Sequence, residues 1–251
     1  MLRARGCQVN GGIMSAKVYG QYCGLAKALD LVGERWTLLI IRELFFGPRR
    51  FSDLVEGLQG ISTSVLNERL SRLEQERLIV RRTLPPPAAS KVYELSEGGQ
   101  ELARAMIPLA AWGVRLLAAN RRKRTEAFRP AWGFLFLRET FDVSSARDVH
   151  DVYEFHVDDS VISVIVDDGA MQVIEGRSGR PVDVEIHVDA TTLVDVGVGR
   201  LRGRDAIREG KLRLVGSEAA LRRYSSIVRP LAQRPSGSPR LDVISHEVVP
   251  S

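Results

Sequence analysis

The sequence predicts a mostly α domain that contains one β-hairpin, followed by an α+β domain. A length of 251 residues favours two domains rather than one. Apolar residues recur at helical spacing in the first half, whereas short alternating strands dominate residues 130–230. The charge changes as well: residues 1–120 hold 16 Lys+Arg and 11 Asp+Glu, residues 121–124 add four positive charges, and residues 125–251 hold 16 Lys+Arg and 20 Asp+Glu. A basic first half predicts a polyanionic partner for that half.

Cysteine content and apolar runs bear on the compartment of the protein. Two cysteines, Cys7 and Cys23, make no disulfide framework in a chain of this length, so we expect a reducing compartment. Residues 1–17 show neither an apolar signal segment nor periodicity, and we expect a disordered N-terminus, with Met14 as an alternative start. The apolar runs are far shorter than the roughly 18 residues of a membrane helix. A cytoplasmic protein without a membrane partner is therefore expected.

Three helices are predicted in the first 60 residues. The first covers 21–32, the second covers 34–47 and stops at Gly47-Pro48, and the third covers 49–58. Apolar residues recur at helical spacing in the first helix, form an apolar face on the second, and are expected to face inward in the third. The apolar positions are Tyr22, Leu25, Ala26, Leu29 and Val32 in the first helix, Trp36, Leu39, Ile40 and Leu44 in the second, and Phe51, Leu54, Val55 and Leu58 in the third.

A fourth helix is predicted over residues 62–76, within the stretch GISTSVLNERLSRLEQERLIVRR. Ser62 suits an N-cap, and three leucines spaced i, i+4 and i+7 face the core. The opposite face is polar, which by itself is most typical of a solvated helix. The leucines are Leu66, Leu70 and Leu73, and the polar face holds Ser64, Glu68, Ser71 and Gln75, with Asn67 and Arg72 at its flanks.

A β-hairpin follows this helix. Two short stretches, LIVRR and KVYEL, alternate in polarity as half-buried strands do, and the intervening TLPPPAAS contains three prolines that exclude a strand interior. Arg81, Arg82 and Lys91 lie near the tip of this hairpin. A helix with a polar outer face beside a basic hairpin is the layout of a winged helix-turn-helix, in which the helix enters the major groove and the wing follows the phosphates.

A long helix over residues 96–120 closes the first domain. Ser96 is its predicted N-cap, and Pro108 should bend it near Arg104. Its apolar positions are too many for packing on a small domain alone, so it either forms a dimer or packs on the second domain. Those positions are Leu102, Met106, Leu109, Trp112, Leu116 and Leu117.

The second domain, residues 130–230, is predicted as an α+β module. Four strands come first (VYEFHV, VISVIV, AMQVIEG and VDVEIHV), with turns at Asp158-Asp159 and Asp167-Asp168. Two helical segments, a fifth strand KLRLVG and a closing helix capped by Ser217 complete it. The predicted organisation is a disordered N-terminus 1–17, a first domain 18–120, a basic linker 121–129, a second domain 130–230 and a flexible tail 231–251.

The first domain resembles the HxlR-type bacterial transcription regulators, which are related to the MarR group. The matching elements are Cys23, GERWTLLIIREL, RRFSDL, GIS…LNERLSRLE and the final WG of 112–113, in the same order and spacing. The resemblance implies a dimeric winged helix-turn-helix protein that binds DNA. This chain has QERLI where the family often has a glycine after the recognition helix, which leaves the end of that helix open.

The second domain resembles the sterol-carrier-protein-like domain. The similar stretch is VEIHVDATTLVDVGVGRLRGRDAIREGKLRLVGSEAALRRYSSIV, with its order of strand, helix, GRL and G-K-L strand. This resemblance implies an apolar tunnel able to hold a lipid-like or other apolar small molecule. The expected fold is thus a mostly α winged helix-turn-helix domain followed by an α+β sterol-carrier-like domain.

A search for catalytic or metal-binding patterns predicts neither an enzyme nor a cofactor. The histidines, His150, His156, His187 and His246, lack the spacing of a zinc motif, and the two within strands are expected to be structural. The glycines of GVGRLRG do not have the dinucleotide-binding spacing.

Cys23 opens the first predicted helix, where amide N–H groups and the helix dipole lower the pKa of a thiol. Some HxlR-type regulators sense oxidants or electrophiles at the matching position. The alternative is a small buried residue at a dimer helix.

The predicted function is a homodimeric DNA-binding regulator, expected to be a repressor, on an inverted-repeat operator, with a possible apolar effector. Asn67 and Glu68 are expected to read bases, Arg72 is expected to reach a guanine or a phosphate, and the hydroxyl residues at the helix start suit base or phosphate contacts. The alternative is a lipid-binding protein whose helical half is an interaction platform. The remaining predicted DNA contacts are Ser62, Thr63, Ser64, Arg49, Arg50, Arg81, Arg82 and Lys91, and the predicted dimer contacts are Tyr22, Leu25, Leu29, Leu109, Trp112 and Leu116.

Overall fold

The structure is a computed structural model that describes residues 18–85, 89–119, 126–135, 137 and 141–228. The predictions for residues 1–17, the basic run 121–124, His246 and the C-terminal tail lie outside the described residues. Within the described part of the chain, no helix is both long and apolar enough to cross a membrane.

The first domain contains the predicted helices and hairpin in the predicted order. The helices before the hairpin are α1 (Gly24–Val32), α2 (Thr37–Phe45), α3 (Phe51–Gly57) and α4 (Thr63–Gln75). The hairpin consists of β1 (Ile79–Thr83) and β2 (Lys91–Leu95), antiparallel and in register from Ile79↔Leu95 to Thr83↔Lys91. Helix α5 (Glu97–Ala119) follows and continues through Pro108.

The start of α2 corrects the prediction for its apolar face. Trp36 precedes the helix with a left-handed φ of 80°, so it is the N-cap residue and not a position on the helix face. Leu39 is exposed, whereas Ile40 and Ile41 are both fully buried. The predicted Ile40 and Leu44 are buried, Trp36 packs against the core from its place before the helix, and Ile41 is buried where Leu39 was predicted.

The leucines of α4 are buried as predicted and anchor this helix to the first core. Leu66, Leu70 and Leu73 are at most 2% exposed and pack with Ile40, Leu54 and their neighbours. Truncating a buried leucine to alanine costs about 2–5 kcal/mol. These contacts hold α4 with its polar face outward.

The turn after α4 resolves the end of the helix. Glu76 caps α4, and Arg77 adopts a left-handed φ of 56°, the conformation that glycine usually supplies after a helix. Ser96 caps α5 by accepting from the Gly99 amide (3.0 Å) and also donates to the Arg77 carbonyl (2.6 Å). The hydroxyl of Ser96 therefore links this turn to the start of α5.

The second domain is the predicted α+β module. It begins with α6 (Pro130–Gly133) and continues with β3 (His150–Val157), β4 (Ser160–Asp167), β5 (Ala170–Glu175) and β6 (Val184–Val188). Helices α7 (Ala190–Gly197) and α8 (Gly203–Arg208), strand β7 (Leu212–Gly216) and helix α9 (Glu218–Ile227) complete it. The sheet order is β5-β4-β3-β6-β7, and the β3–β6 pair is parallel.

The two faces of this sheet differ in character. Tyr153 and Phe155 face the helices: the rings of Phe155 and Phe134 lie 4.8 Å apart, and the Tyr153 hydroxyl donates to the Ala220 carbonyl of α9. Alternate residues of β3, Glu154 and His156, point to the other face. The helix-facing side thus holds most of the apolar core of this domain, and the other side carries Glu154 and His156 beside the buried Val152 and Ile165.

Candidate nucleic-acid interface

Helices α3 and α4 form the helix-turn-helix. Gly60 in the turn between them has φ 90°, which a glycine adopts without strain. Ser62 is the N-cap of α4, as predicted, since its Oγ accepts from the Val65 amide at 3.3 Å. Its Oγ also lies 3.0 Å from the Ser64 hydroxyl. The first turn of α4 therefore presents hydroxyl groups around the amide N–H groups of the helix start, a suitable setting for phosphate.

The outer face of the N-terminal half of α4 is open to solvent. Thr63, Ser64, Asn67 and Glu68 are all exposed. Ser64 and Glu68 lie opposite the buried leucines, Asn67 flanks that face, and Thr63 belongs to the first turn of the helix. An asparagine on such a face can make two hydrogen bonds with an adenine edge, and a glutamate can accept from the amino group of cytosine. The structure therefore brings these four predicted contacts onto one accessible surface.

Arg72 is held inside the protein. Its Nη1 lies 2.8 Å from Glu34 in the α1–α2 loop, and its Nη2 donates to the carbonyl of Asp30. The side chain of Arg69, which the sequence interpretation did not include, joins the same carboxylate at 2.6 Å. Glu34, Arg69 and Arg72 thus fasten α4 to the α1–α2 loop, and in this conformation Arg72 does not reach outward to a base.

The wing presents its arginines to solvent with weak internal pairing. The side chains of Arg81 and Arg82 are each 54% exposed; Arg82 lies 2.8 Å from Glu94 and Arg81 lies 3.7 Å from Glu74. Exposed ion pairs of this kind contribute about 0–1 kcal/mol to stability, so each arginine can leave its glutamate and bind a phosphate at little cost in free energy. Lys91 is exposed as well and stands opposite Thr83 at the end of the hairpin.

Arg49 and Arg50 occupy different environments. Arg49 forms an ion pair with Glu175 of the second domain and donates to the Glu43 carbonyl at 3.3 Å. Arg50 is exposed, and its backbone amide donates to Asp53 at the start of α3. Arg50 is therefore placed for a phosphate contact, whereas Arg49 joins the two domains.

Glu43 forms a buried link between the domains that the sequence interpretation missed. It is 2% exposed and accepts from Arg42 (2.8 Å), from Arg129 (3.0 Å) and from the indole Nε1 of Trp132 (2.9 Å). Arg42 also lies over the Trp132 ring, 3.8 Å from its centroid. The sequence carried one indication of this link, a glutamate within the apolar segment TLLIIRELF, because a buried carboxylate requires hydrogen-bonding partners.

The predicted dimer contacts remain exposed in the single chain. Near α1 these are Tyr22, Leu25 and Leu29, and on α5 they are Leu109, Trp112 and Leu116. Exposed apolar residues concentrated on two helices are typical of an interaction surface. Helix α5 also contacts the second domain, since Arg200 donates to the Leu117 carbonyl at 2.6 Å.

Cys23 is exposed and is the N-cap residue of α1, at the place where the sequence predicted a helix start. The nearby backbone amides of Ala26 and, secondly, Leu25 favour the thiolate and lower the pKa of this thiol below its ordinary value. The thiolate is the reactive form of cysteine, so these amides favour reaction at Cys23.

The helix-turn-helix, the wing and the long closing helix define a winged helix-turn-helix protein. The family model described as HxlR-like helix-turn-helix matches residues 31–121, and the SCP-2 sterol transfer family model matches residues 141–229. The predicted resemblance of both domains is therefore confirmed. The chain belongs to the HxlR-like helix-turn-helix family.

Several relatives carry names of the same class. The HTH-type transcriptional regulator YodB of Bacillus subtilis is 38% identical over 88 residues, which cover 35% of this chain and 79% of that protein. The uncharacterized HTH-type transcriptional regulator Rv3095 of Mycobacterium tuberculosis is 42% identical over 100 residues. These residues cover 40% of this chain and 61% of the length of Rv3095. The structure of the reduced form of YodB aligns with 40% of this chain and 99% of that chain, at 34% identity and a TM-score of 0.35.

Proposed function

We propose that this protein is a dimeric, sequence-specific DNA-binding transcriptional regulator that acts as a repressor. The observation that carries the proposal is the exposed polar face of α4, held outward by Leu66, Leu70 and Leu73. Family membership supports the same class of function.

Reading and anchoring fall to different residues in this proposal. Asn67 and Glu68 read base edges in the major groove, and Ser62, Thr63 and Ser64 contact bases or phosphates at the helix start. Arg50, Arg81, Arg82 and Lys91 contact phosphates and determine the salt dependence of binding. Arg72 positions α4 through Glu34 and is no longer proposed to read a base.

Dimerisation follows from the exposed apolar residues of α1 and α5. Pairing two chains through these helices buries side chains such as Leu25 and Trp112, which are exposed in one chain. Each dimer presents two copies of α4. Two recognition helices that enter successive major grooves on one DNA face are about 34–36 Å apart, so the operator is expected to be an inverted repeat.

A gel shift with the DNA upstream of its own gene tests this function. We expect a retarded band that survives excess scrambled competitor and is abolished by excess specific competitor. Binding removed equally by both competitors would reject sequence-specific regulation. It would favour a lipid-binding protein with a helical interaction platform.

The second domain is proposed to bind an apolar effector and to transmit its occupancy to the first. Aromatic side chains line its helix-facing side, with the rings of Tyr153 and Tyr224 4.7 Å apart. Helix α6 packs on α7 and carries Trp132, whose indole bonds to Glu43 of α2. A displacement of α6 by a ligand is thereby transmitted to the helix next to the helix-turn-helix.

An effector shifts DNA affinity only as far as it prefers one conformation over the other. We therefore expect operator affinity to change when fatty acids or other apolar compounds are added to the full chain. The Glu43→Gln variant should still bind the compound while operator affinity responds less. A screen in which no apolar compound binds would remove this part of the proposal and leave the DNA-binding part intact.

A second candidate function is thiol sensing through Cys23, favoured by its exposure and its lowered thiol pKa. Alkylation by iodoacetamide should reach its half-maximal rate at a lower pH than for an ordinary cysteine, because the thiolate forms earlier as pH rises. Diamide should weaken operator binding of the wild-type chain and leave Cys23→Ser unaffected. An equal response in both proteins would exclude this role.

A further inference from the structure

The face of the second sheet that points away from its helices carries a repeated pair of residues. Strand β3 contains Glu154-Phe155-His156, and strand β6 contains Glu185-Ile186-His187. The two strands are parallel and in register, so Glu154 stands beside Glu185 and His156 stands beside His187. Neighbouring strands lie about 4.8 Å apart. Register therefore assembles two imidazoles and two carboxylates on one small surface.

The donor atoms of this surface converge. One ligand atom from each of His156, Glu185 and His187 lies within 4.8 Å of the others. The Nε2 atoms of His187 and His156 are 3.1 Å and 4.0 Å from the same oxygen of Glu185. Ligands of a tetrahedral zinc ion are about 3.3 Å apart, given metal–ligand distances of about 2.0–2.1 Å. Each donor separation is thus within about 1.5 Å of the required spacing.

His156 supplies an independent sign of an absent ligand. Its Nε2 atom is buried and makes no hydrogen bond within the described part of the chain. The nearest oxygen, from Glu154 at 2.8 Å, is close but lacks the alignment of a hydrogen bond, and Arg177 already donates to it. A buried ring nitrogen without an aligned partner costs free energy, which a metal ion would remove.

The surroundings allow the rings to adjust. The imidazoles stack with centroids 4.4 Å apart and planes inclined by 16°, so the ring nitrogen lone pairs lie in two nearly parallel planes. A rotation of each ring about its Cβ–Cγ bond would aim both lone pairs at one ion. The side chains of His156 and His187 are 21% and 28% exposed, which leaves room for this rotation. Arg177 balances the charge of Glu154, so Glu185 remains as the carboxylate available to a cation.

We propose that His156, Glu185 and His187 bind a divalent transition metal of the zinc class, with water in the fourth position. Two imidazoles and a carboxylate suit Zn²⁺, whereas Mg²⁺ and Ca²⁺ prefer oxygen ligands. The ion joins β3 to β6 across their parallel pairing. Sequence spacing gave no indication of this site because the ligands come from β3 and β6, and strands β4 and β5 lie between them in the sequence.

The test uses the full chain without an affinity tag, in a Cys7→Ser/Cys23→Ser/His246→Gln background that removes other soft ligands. After chelator treatment, ZnCl2 is titrated calorimetrically. We expect one Zn²⁺ per chain and a rise in Tm of several degrees. His156→Gln, His187→Gln and Glu185→Gln should each weaken binding by at least about tenfold. His150→Gln, at the exposed end of β3, is the matched control and should bind as the background does.

Two further measurements test the coordination geometry of the bound metal and the folding of the variants. Co²⁺ should give the intense visible bands of tetrahedral coordination in the background protein and in His150→Gln, and lose them in His187→Gln. Circular dichroism verifies that each variant is folded. Absence of saturable Zn²⁺ binding in the background protein, or equal affinity in His187→Gln, would overturn the site and assign these side chains a purely structural role.

Discussion

The two halves of α4 use polar residues in opposite ways. In the first half, Ser64 and Asn67 are exposed and face solvent. In the second half, Arg69 and Arg72 turn back to Glu34 and hold the helix against the α1–α2 loop. The most positively charged part of the reading helix is therefore the part that positions it. An arginine on a recognition helix contacts DNA only if its internal partners leave it free to do so.

The largest expected effect separates the two halves directly. Asn67→Ala should reduce the preference for operator over scrambled DNA by about 10–100-fold per half-site, because a good bidentate base contact contributes about 1–3 kcal/mol. Affinity for scrambled DNA should stay the same. Fluorescence anisotropy on both duplexes measures this, with Gln75→Ala, exposed at the far end of α4, as the control. An unchanged preference in Asn67→Ala would show that the first half of α4 does not read the sequence.

Arg72→Ala is expected to act on stability. Removing its contacts with Glu34 and Asp30 should lower the free energy of unfolding by about 1 kcal/mol. Operator and scrambled DNA should then lose affinity by a similar, small factor. Urea denaturation and the same anisotropy assay measure both effects. A loss of preference as large as that of Asn67→Ala would return Arg72 to base reading and erase the contrast between the halves.

The smallest effect is expected in the wing. Arg82→Ala should reduce the slope of log affinity against log salt by about 1 for each phosphate that the side chain no longer neutralises, without changing sequence preference. Titrations between low and moderate salt measure the slope. Arg222→Ala, on α9 of the second domain, controls for the removal of one positive charge. Equal slopes for Arg82→Ala and the unaltered chain would exclude the wing from the DNA interface.

Local patterns predicted much of the fold. Periodicity and turn chemistry, which involve residues close together in the sequence, predicted four kinds of feature. These are the buried leucines of α4, the hairpin, the Ser96 and Ser217 caps, and the β-strands of the second domain. The second helix was predicted to begin at residue 34, but α2 begins at Thr37. The reason is that Trp36 adopts a left-handed backbone conformation within a continuous apolar pattern.

Long-range pairing was beyond local patterns. Arg49 pairs with Glu175, which is 126 residues away in the sequence, and Arg72 pairs with Glu34 of the α1–α2 loop. Strand register placed His156 beside His187. Residue type alone suggested phosphate or base contacts for both arginines, since nothing near them in sequence identifies their partners. Asn67 and Arg82 are exposed, as their positions in the sequence pattern predicted, although Arg82 also pairs with Glu94.

The most direct test of the central claim, that α4 reads sequence through its N-terminal half, is in vitro selection of random duplexes by the full chain. We expect the wild-type chain to enrich two inverted half-sites whose centres lie about one helical turn apart. Asn67→Ala should lose the preference at one matching position in each half-site and keep the spacing. Enrichment of the same motif by both proteins, or of no motif by the wild-type chain, would contradict the claim.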